Sequence, residues 1–211
     1  MHKVQVHIIC QDLTQKDAFK KVSAQIKKLK PTIDIFINNA GIGKYGAFDK
    51  ITQEEELKMI ELNVVALTQF SRWAVQEFAQ QGHGYLLNVA SMAGMLPGPL
   101  MAVYYATKAY VLSFTEALYE EYKDKGIHVA ALCPGATESE FQARAGQQNS
   151  GLVKNKKLMS AARVAQVAYE DLFRRKVVIV PGIKNKILAA SIRFFPRKWV
   201  RSFSMQLNRE K

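Results

Sequence analysis

Cysteine is scarce in this sequence. The 211 residues contain two cysteines, Cys10 and Cys133, and each lies inside an apolar run. Neither belongs to a C-x-x-C pair or has the spacing of metal ligands, which argues against a disulfide framework and against a metal site. The cysteine usage favours a reducing compartment, and we therefore expect a cytoplasmic protein.

Long apolar runs are also missing. No stretch reaches the roughly 18 uninterrupted apolar residues that a membrane span needs. The N-terminus MHKVQVHII lacks the separate basic and small-residue regions of a signal peptide. A chain of 211 residues with 48% hydrophobic content can bury a substantial core, so the sequence predicts one soluble domain, with at most an appendage.

Acidic residues are rare near the C-terminus. Residues 154–211 contain 15 Lys/Arg and three acids, whereas residues 1–153 contain 15 of each sign, so the last 58 residues carry the whole excess of 15 − 3 = +12. Such a region either forms a solvated basic face or attracts an anionic partner. We expect no nucleic-acid partner. A weak peripheral membrane contact is left open, because between residues 187 and 207 basic residues alternate with Leu188, Ile192, Phe195, Trp199 and Phe203.

Strand-like and helix-like segments alternate along the chain. Buried strands are predicted at 3–10, 33–38, 84–91, 127–135 and 176–182. Amphipathic helices are predicted at 17–29, 52–79, 104–123 and 160–173. Continuous apolar strands alternating with such helices indicate a parallel sheet covered on both faces. The fold class predicted is therefore α/β, of the doubly wound kind.

The glycines of NNAGIGKYG, Gly41, Gly43 and Gly46, match the spacing of a dinucleotide-binding turn. That turn requires its last glycine to open a helix whose N-terminus faces the phosphates. Here the next helix begins only at a capping box, Thr52 with Glu55 three residues later. We interpret the glycine spacing as a coincidence.

A second set of motifs is more specific in combination. The tetrapeptide NNAG at 38–41 follows a strand, Ser91 ends the next one, Tyr104 and Lys108 form Y-x-x-x-K, and Pro134-Gly135 follows the strand after that. In this order they resemble the classical short-chain dehydrogenase/reductase family, from Val4 to about Gly182. The resemblance implies a Rossmann fold and an NAD(P)-dependent oxidoreductase that interconverts a ketone and a secondary alcohol.

The chemistry of these residues supports the same reaction. Tyr104 and Lys108 are four residues apart on a helix and share one face, and Ser91 lies at the carboxyl end of a strand, where ligands of open α/β sheets bind. An ammonium beside a phenol lowers the phenol's pKa from roughly 10, so Tyr104 is expected to exchange the proton. Ser91 is expected to stabilise the developing charge. The resemblance adds that Lys108 bonds the nicotinamide ribose and that Asn63 holds a water that relays protons to the lysine.

The resemblance also implies the cofactor contacts and a substrate class. The cofactor is NADP or NAD. Besides Tyr104 and Lys108, its expected contacts are Asp12, Leu13, Asn39, Ala40, Gly41, Pro134, Gly135, Thr137 and Ser139. The polar segment 138–159 is interpreted as a mobile substrate lid. An apolar substrate is expected because Met92, Met95, Leu96, Leu100 and Met101 surround the site in sequence. RFFPRKWV, at 193–200, is similar to the fatty-acyl and steroid ketoreductase branch.

The sequence departs from the family at its start. A strand, a T-G-x-x-x-G-x-G turn, a helix and a second strand-helix unit are absent, and the segment 3–10 resembles the family's third strand. The expectation is an incomplete Rossmann domain at 1–182 followed by a basic helical appendage at 183–211, with unpaired strand edges. Either the sequence is an incomplete reading of a longer gene, or the segment 3–10 moves directly against 33–38.

Two readings of function remain open from the sequence. The first is the oxidoreductase described above, expected by analogy to form a homodimer or homotetramer through the helices at 52–79 and 104–123. The second is a catalytically silent member of the family that serves as a binding or dimerisation module. In the second reading Tyr104 is a packing aromatic and Lys108 a surface charge.

Overall fold

The computed structural model describes residues 4–29 and 32–210. The strands are β1 (Ile35–Asn38), β2 (Gly84–Val89), β3 (Ile127–Leu132), β4 (Thr137–Glu138), β5 (Met159–Ser160) and β6 (Val178–Ile179). A parallel sheet has the order β1-β2-β3-β6, and β4 pairs with β5 in a separate parallel pair. The α/β fold class predicted from the sequence is confirmed.

Helices connect and cover these strands. They are α1 (Ala18–Leu29), α2 (Gln53–Ile60), α3 (Leu67–Gln81), α4 (Ala102–Tyr122), α5 (Phe141–Ala145), α6 (Ala161–Phe173), α7 (Ile183–Ser191) and α8 (Arg197–Asn208). Short 3₁₀ turns occupy Phe48–Lys50, Met92–Met95, Lys123–Lys125 and Ile192–Phe194. Thr52 and Glu55 form the predicted capping box, and the Ser160 side chain caps α6. Within the described ranges, no helix combines the length and hydropathy that crossing a membrane demands.

The core lies on both faces of the sheet because β2 and β3 point alternate side chains to opposite sides. On one face Leu86 and Val129 pack with Phe78 of α3. On the other face Leu87 and Ala130 pack with α6, whose buried residues are Val164, Ala168 and Leu172. All six residues of β3 are buried, as expected for a central parallel strand.

The first predicted strand is wrong. Of the segment 3–10, Lys3 lies outside the described residues, and residues 4–10 form no strand. Val4, Val6 and Ile8 are 72%, 72% and 88% exposed. The apolar run has the composition of a strand, but a strand also needs a neighbour for its backbone hydrogen bonds. It does not pair with β1 either.

The last predicted strand and the expected helix 52–79 also need correction. Of 176–182, only Val178–Ile179 pairs with β3. The predicted continuous α-helix is interrupted by a π-helical segment, Glu61–Ala66, that joins α2 to α3. Apolar residues in this stretch of sequence recur every three or four positions, as in an ordinary α-helix, and for that reason the sequence did not reveal the interruption. The π-helical segment carries Asn63, whose side chain contacts the loop after β1.

The C-terminal segment forms two helices that contact the sheet domain. Leu188 and Ala189 of α7 pack against the core cluster that contains Val180. Helix α8 buries Val200, Ser204 and Asn208, which are spaced four residues apart. The buried face of α8 is therefore fixed against the domain, while its other sides face outward.

Candidate active site

A buried polar network holds the ends of β1 and β2 together. Asn38 donates from Nδ2 to Asn88 Oδ1 at 2.8 Å and to Ser71 Oγ at 2.9 Å. Asn88 donates to Thr115 Oγ1 at 3.0 Å. The network joins β1, α3, β2 and α4 just before the loops that carry the candidate residues. Of the four residues in this network, only Asn38 was predicted from the sequence, as part of NNAG. An asparagine inside the apolar run GYLLNVA indicates a buried amide that needs partners, and it could have identified Asn88.

Asn63 sits in the π-helical segment and is 1% exposed. Its Oδ1 accepts from the Ile42 backbone N–H at 3.0 Å, and its Nδ2 donates to the Ile42 carbonyl at 2.8 Å. The same Nδ2 donates to Thr107 Oγ1 on α4 at 3.1 Å. The π-helical segment thus turns this amide toward the loop after β1 and fastens that loop to the helix that carries Tyr104 and Lys108.

Gly41 lies where this loop passes closest to α4. A Cβ added to Gly41 would lie 3.3 Å from Asn63 Oδ1 and 3.3 Å from Lys108 Nζ. These separations are tight enough that any larger residue would displace the lysine or the amide. The glycine of NNAG is therefore required by a close approach of backbone to side chains.

Ser91 caps the 3₁₀ turn at Met92–Met95. Its Oγ accepts from the Ala93 backbone N–H at 3.1 Å and donates to the Pro134 carbonyl at 3.4 Å. Met92 also donates its backbone N–H to the Pro134 carbonyl, at 2.9 Å. The loops after β2 and β3 are therefore joined at the carboxyl edge of the sheet, as expected for a ligand site of an open α/β fold.

Tyr104 lies in the first turn of α4 and is 9% exposed. Burial raises the pKa of the Tyr104 phenol to about 12, and the nearby Ser91 side chain acts in the opposite direction. The two predicted catalytic hydroxyls therefore lie near each other, while the hydrogen bonds of Ser91 Oγ run to Ala93 and Pro134.

Lys108 is 4% exposed, and its Nζ donates to the Val89 carbonyl at 2.7 Å. Burial lowers the pKa of Lys108 to about 8. Its Nζ is 5.9 Å from the centre of the Tyr104 ring. In this structure the ammonium is directed at a backbone carbonyl, and the expectation that Lys108 lowers the pKa of Tyr104 stays a prediction.

An apolar wall surrounds Tyr104. The Phe141 ring on α5 lies 5.2 Å from the Tyr104 ring, centre to centre, and Met101 and Leu96 belong to the same cluster. A Cβ on Gly43 would lie 2.6 Å from the Phe141 ring. The sequence predicted that Leu96 and Met101 lie near the site. It did not indicate Phe141, because a residue 37 positions from Tyr104 in sequence gives no local signal of the contact.

The expected cofactor contacts fall into two groups. Leu13, Asn39 and Ala40 line a cavity of about 250 Å³ between the N-terminal segment and β1. Asp12 does not line this cavity: its carboxylate accepts from the Thr14 backbone and hydroxyl, and the Thr14 backbone hydrogen bond, the main cause, holds the Asp12 pKa below its usual value.

The second group lies beyond β3. Thr137 donates its hydroxyl to the Gly135 carbonyl at 3.0 Å, and its own carbonyl accepts from Gln142 at 2.8 Å and from the Ser139 hydroxyl at 3.4 Å. Pro134 is joined to Ser91 as described above. Through Pro134 this group contacts Ser91, one of the two predicted catalytic hydroxyls.

These residues fit one end of a nicotinamide dinucleotide better than the other. Gly41, Lys108 and Ser91 form a close-packed polar corner that a nicotinamide riboside could contact. The cavity of about 250 Å³ is below the range of about 300–1,000 Å³ usual for small-molecule pockets. In residues 4–29 and 32–210, the glycine loop at 41–46 leads into another loop and not into a helix N-terminus.

A model of the short-chain dehydrogenase family matches residues 1–150. The chain belongs to this family. The family resemblance expected from the sequence is thereby confirmed.

Individual relatives agree with this assignment. An uncharacterised oxidoreductase of Thermotoga maritima is 39% identical over 127 residues, which are 59% of this chain and 51% of the relative. A very-long-chain 3-oxoacyl-CoA reductase of Rattus norvegicus is 33% identical over 136 residues, 62% of this chain and 43% of the relative. The chain thus spans about half the length of the curated relatives it matches.

Among solved structures, a short-chain dehydrogenase from Sphingobium yanoikuyae in complex with NADPH is similar to this chain. The TM-score is 0.75 at 30% identity, and the match covers 87% of this chain and 72% of that one. The Rossmann-type architecture of this dehydrogenase family therefore extends through the described sheet.

Proposed function

We propose that this chain is an NAD(P)-dependent oxidoreductase that interconverts a ketone and a secondary alcohol. The observation that carries the proposal is that the Ser91 hydroxyl acts on the buried Tyr104 phenol, with Lys108, whose Nζ lies 5.9 Å from the Tyr104 ring centre, one helical turn further along α4. The apolar wall around Tyr104 and the rat relative, a 3-oxoacyl-CoA reductase, support an apolar or acyl carbonyl substrate.

Tyr104 is proposed as the proton donor for ketone reduction, with NADP favoured over NAD because the Sphingobium relative was solved with NADPH. When bound, the cofactor supplies the hydride. A phenol with a pKa of about 12 still protonates an alkoxide, whose basicity is close to that of hydroxide, the conjugate base of water at about 15.7. The reverse reaction needs the phenolate, which burial disfavours, so we expect the rate of alcohol oxidation to rise with pH.

Ser91 is proposed to donate a hydrogen bond to the carbonyl oxygen. The Ser91 hydroxyl donates a long hydrogen bond, 3.4 Å, to the Pro134 carbonyl. Its oxygen accepts a shorter one, 3.1 Å, from the Ala93 N–H. A donor that is fixed through its oxygen and weakly engaged through its hydrogen can turn to a substrate without losing its position.

Lys108 and Asn63 are proposed to position the cofactor side of the site. Gly41 packs against both side chains, so the loop it belongs to is set by them. Both hydrogens of the Asn63 amide already serve Ile42 and Thr107. A water in the proposed relay to Lys108 therefore has to donate to Asn63 Oδ1, which keeps one lone pair beside the Ile42 N–H.

The test compares Tyr104→Phe with Tyr105→Phe. The Tyr105 hydroxyl donates to Asn208 Oδ1 at 3.0 Å on another side of α4 and makes a matched control. We expect Tyr104→Phe to lower the rate of NADPH oxidation at least about 10²-fold with a 3-oxoacyl-CoA substrate, and Tyr105→Phe to leave it within about threefold. The assay uses the 211-residue chain with millimolar NADPH. Equal rates in the two variants contradict the assignment.

The silent binding module remains the second candidate, and the exposed edge of β1 favours it. Ile35 and Ile37 on that edge are 37% and 54% exposed. A folded chain that neither consumes nor binds NADPH would support this candidate. Homo-oligomerisation and a cytoplasmic location also stay proposals; the two free thiols, Cys10 and Cys133, support a reducing compartment.

A further inference from the structure

Three aromatic side chains form an exposed patch on the C-terminal helices. Phe195, Trp199 and Phe203 are 52%, 62% and 43% exposed. The rings of Phe195 and Trp199 lie 6.4 Å apart, centre to centre, and Phe203 follows Trp199 by one helical turn. Phe194 and, on α7, Ile183 and Ile187 add apolar side chains that are 85%, 70% and 63% exposed.

Basic residues are frequent in the segment that carries this patch. Residues 183–210 contain one acid, Glu210, and seven basic residues: Lys184, Lys186, Arg193, Arg197, Lys198, Arg201 and Arg209. Among the residues that the structure describes, none of these seven cations forms an ion pair. We call the apolar patch and these cations the C-terminal basic face.

The helix that carries this face is anchored from behind. Asn208 accepts from the Tyr105 hydroxyl through Oδ1, donates from Nδ2 to the Pro99 carbonyl at 2.8 Å, and accepts from the Tyr45 hydroxyl at its backbone carbonyl at 2.7 Å. These hydrogen bonds fix the inner side of α8 against the rest of the described chain. Trp199 and Phe203, on the outer side of α8, stay exposed.

We propose that the C-terminal basic face binds the surface of an anionic lipid bilayer. Aromatic and aliphatic side chains interleaved with Lys and Arg are the pattern of helices that lie in a membrane interface, where the apolar groups enter the headgroup boundary and the cations meet lipid phosphates. A second copy of this chain fits poorly because two such faces repel each other. A nucleic acid is less suited because Ile183 and Ile187 cannot stack on bases.

Vesicle co-sedimentation tests the proposal directly. The probe is a vesicle of phosphatidylcholine and phosphatidylserine in equal amounts, compared with phosphatidylcholine alone. We expect binding to the anionic vesicle only, with about a tenfold or larger loss between about 0.1 and 1 M NaCl, over which the Debye length falls from about 10 to 3 Å. Equal binding to both vesicles, or to neither, overturns the proposal.

Tryptophan fluorescence reports on the same surface. Of the two tryptophans, Trp73 is 5% exposed and Trp199 is 62% exposed, so a blue shift on adding vesicles arises from Trp199. Trp199→Phe should remove the shift while leaving co-sedimentation within about threefold. A shift that persists in this variant places the lipid contact elsewhere and contradicts the proposal.

A double variant and a matched control decide which residues bind. Trp199→Ser with Phe203→Ser should weaken vesicle binding at least about tenfold, whereas Tyr169→Ser, which removes an aromatic that is 64% exposed on α6, should not. Circular dichroism melts establish that both variants fold. Sedimentation equilibrium is run in parallel: a dimer that the double variant dissociates, without vesicle binding by the parent chain, assigns the face to a second copy and overturns the proposal.

Discussion

At the scale of single residues, the buried ammonium of Lys108 should be visible in the stability of the protein. Burial lowers its pKa from 10.5 to about 8, so between these values the unfolded chain binds more protons than the folded chain. Stability contributed by this site therefore rises with pH across that window, and the cost of keeping the lysine charged is largest below pH 8.

We expect Lys108→Met to raise the free energy of unfolding at pH 7 by about 1–3 kcal/mol, the upper end corresponding to the whole pKa difference at 1.36 kcal/mol per unit. Urea denaturation at several pH values measures it. The gain should shrink toward pH 10.5, while Lys125→Met, which changes an exposed lysine, should show no such trend. If Lys108→Met is less stable than the parent at pH 7, the hydrogen bond from Lys108 to Val89 outweighs the desolvation cost.

The same residue illustrates what a sequence cannot show. The spacing of Tyr104 and Lys108 correctly places both on α4, because helical periodicity is local. The direction of the lysine side chain and the burial of the phenol depend on the loop at 41–43 and on α5, which are distant in sequence. For this reason the positions were predictable and the pKa relation between them was not.

At the scale of elements, β1 presents an unpaired strand edge with apolar side chains. Ile37 on this edge is 54% exposed, and exposed edges of this kind associate with other chains through backbone pairing. Charged residues at such edges oppose this pairing.

We expect Ile37→Lys to reduce self-association of the chain, measured by light scattering over a concentration series. Leu57→Lys on α2 is the matched control, because Leu57 is also 54% exposed but belongs to a helix. The loss of association should be several-fold for the strand variant and small for the helix variant. Equal effects would indicate that general hydrophobicity, not the strand edge, drives association.

The elements themselves were predictable to different degrees. Helix starts at Thr52 and Ser160 follow from capping groups within four residues, and both are confirmed. The strand predicted at 3–10 failed because composition alone cannot supply a pairing neighbour. The π-helical segment at Glu61–Ala66 was missed because the apolar spacing of the sequence there also fits a continuous α-helix.

At the scale of the whole molecule, cofactor affinity depends on what lies beside β1. The cavity there, about 250 Å³, is bordered by Ile9, Gln11, Leu13 and residues 36–40, and it offers no helix N-terminus to the phosphates in the described ranges. Charge on the phosphates would have to be met by solvent, which weakens binding.

We therefore expect 1 mM NADPH to raise the melting temperature of the 211-residue chain by less than about 2 °C. A dissociation constant near 1 mM stabilises by only about 0.4 kcal/mol at that concentration, and about 1 kcal/mol shifts the midpoint of a domain of this size by about 2–4 °C. Differential scanning fluorimetry measures the shift. An increase of more than about 5 °C would show that these residues hold the whole dinucleotide unaided.

Asn208, through its side-chain amide and its backbone carbonyl, connects parts of the chain that are made at very different times. Its partners, Tyr45, Pro99 and Tyr105, are all synthesised long before it leaves the ribosome. Until then the Tyr45 and Tyr105 hydroxyls and the Pro99 carbonyl lack their hydrogen bonds to Asn208, and α8 is not yet packed against α4. Assembly of the region next to the predicted catalytic hydroxyls therefore follows the synthesis of α8, even though the sheet that supports it can form earlier.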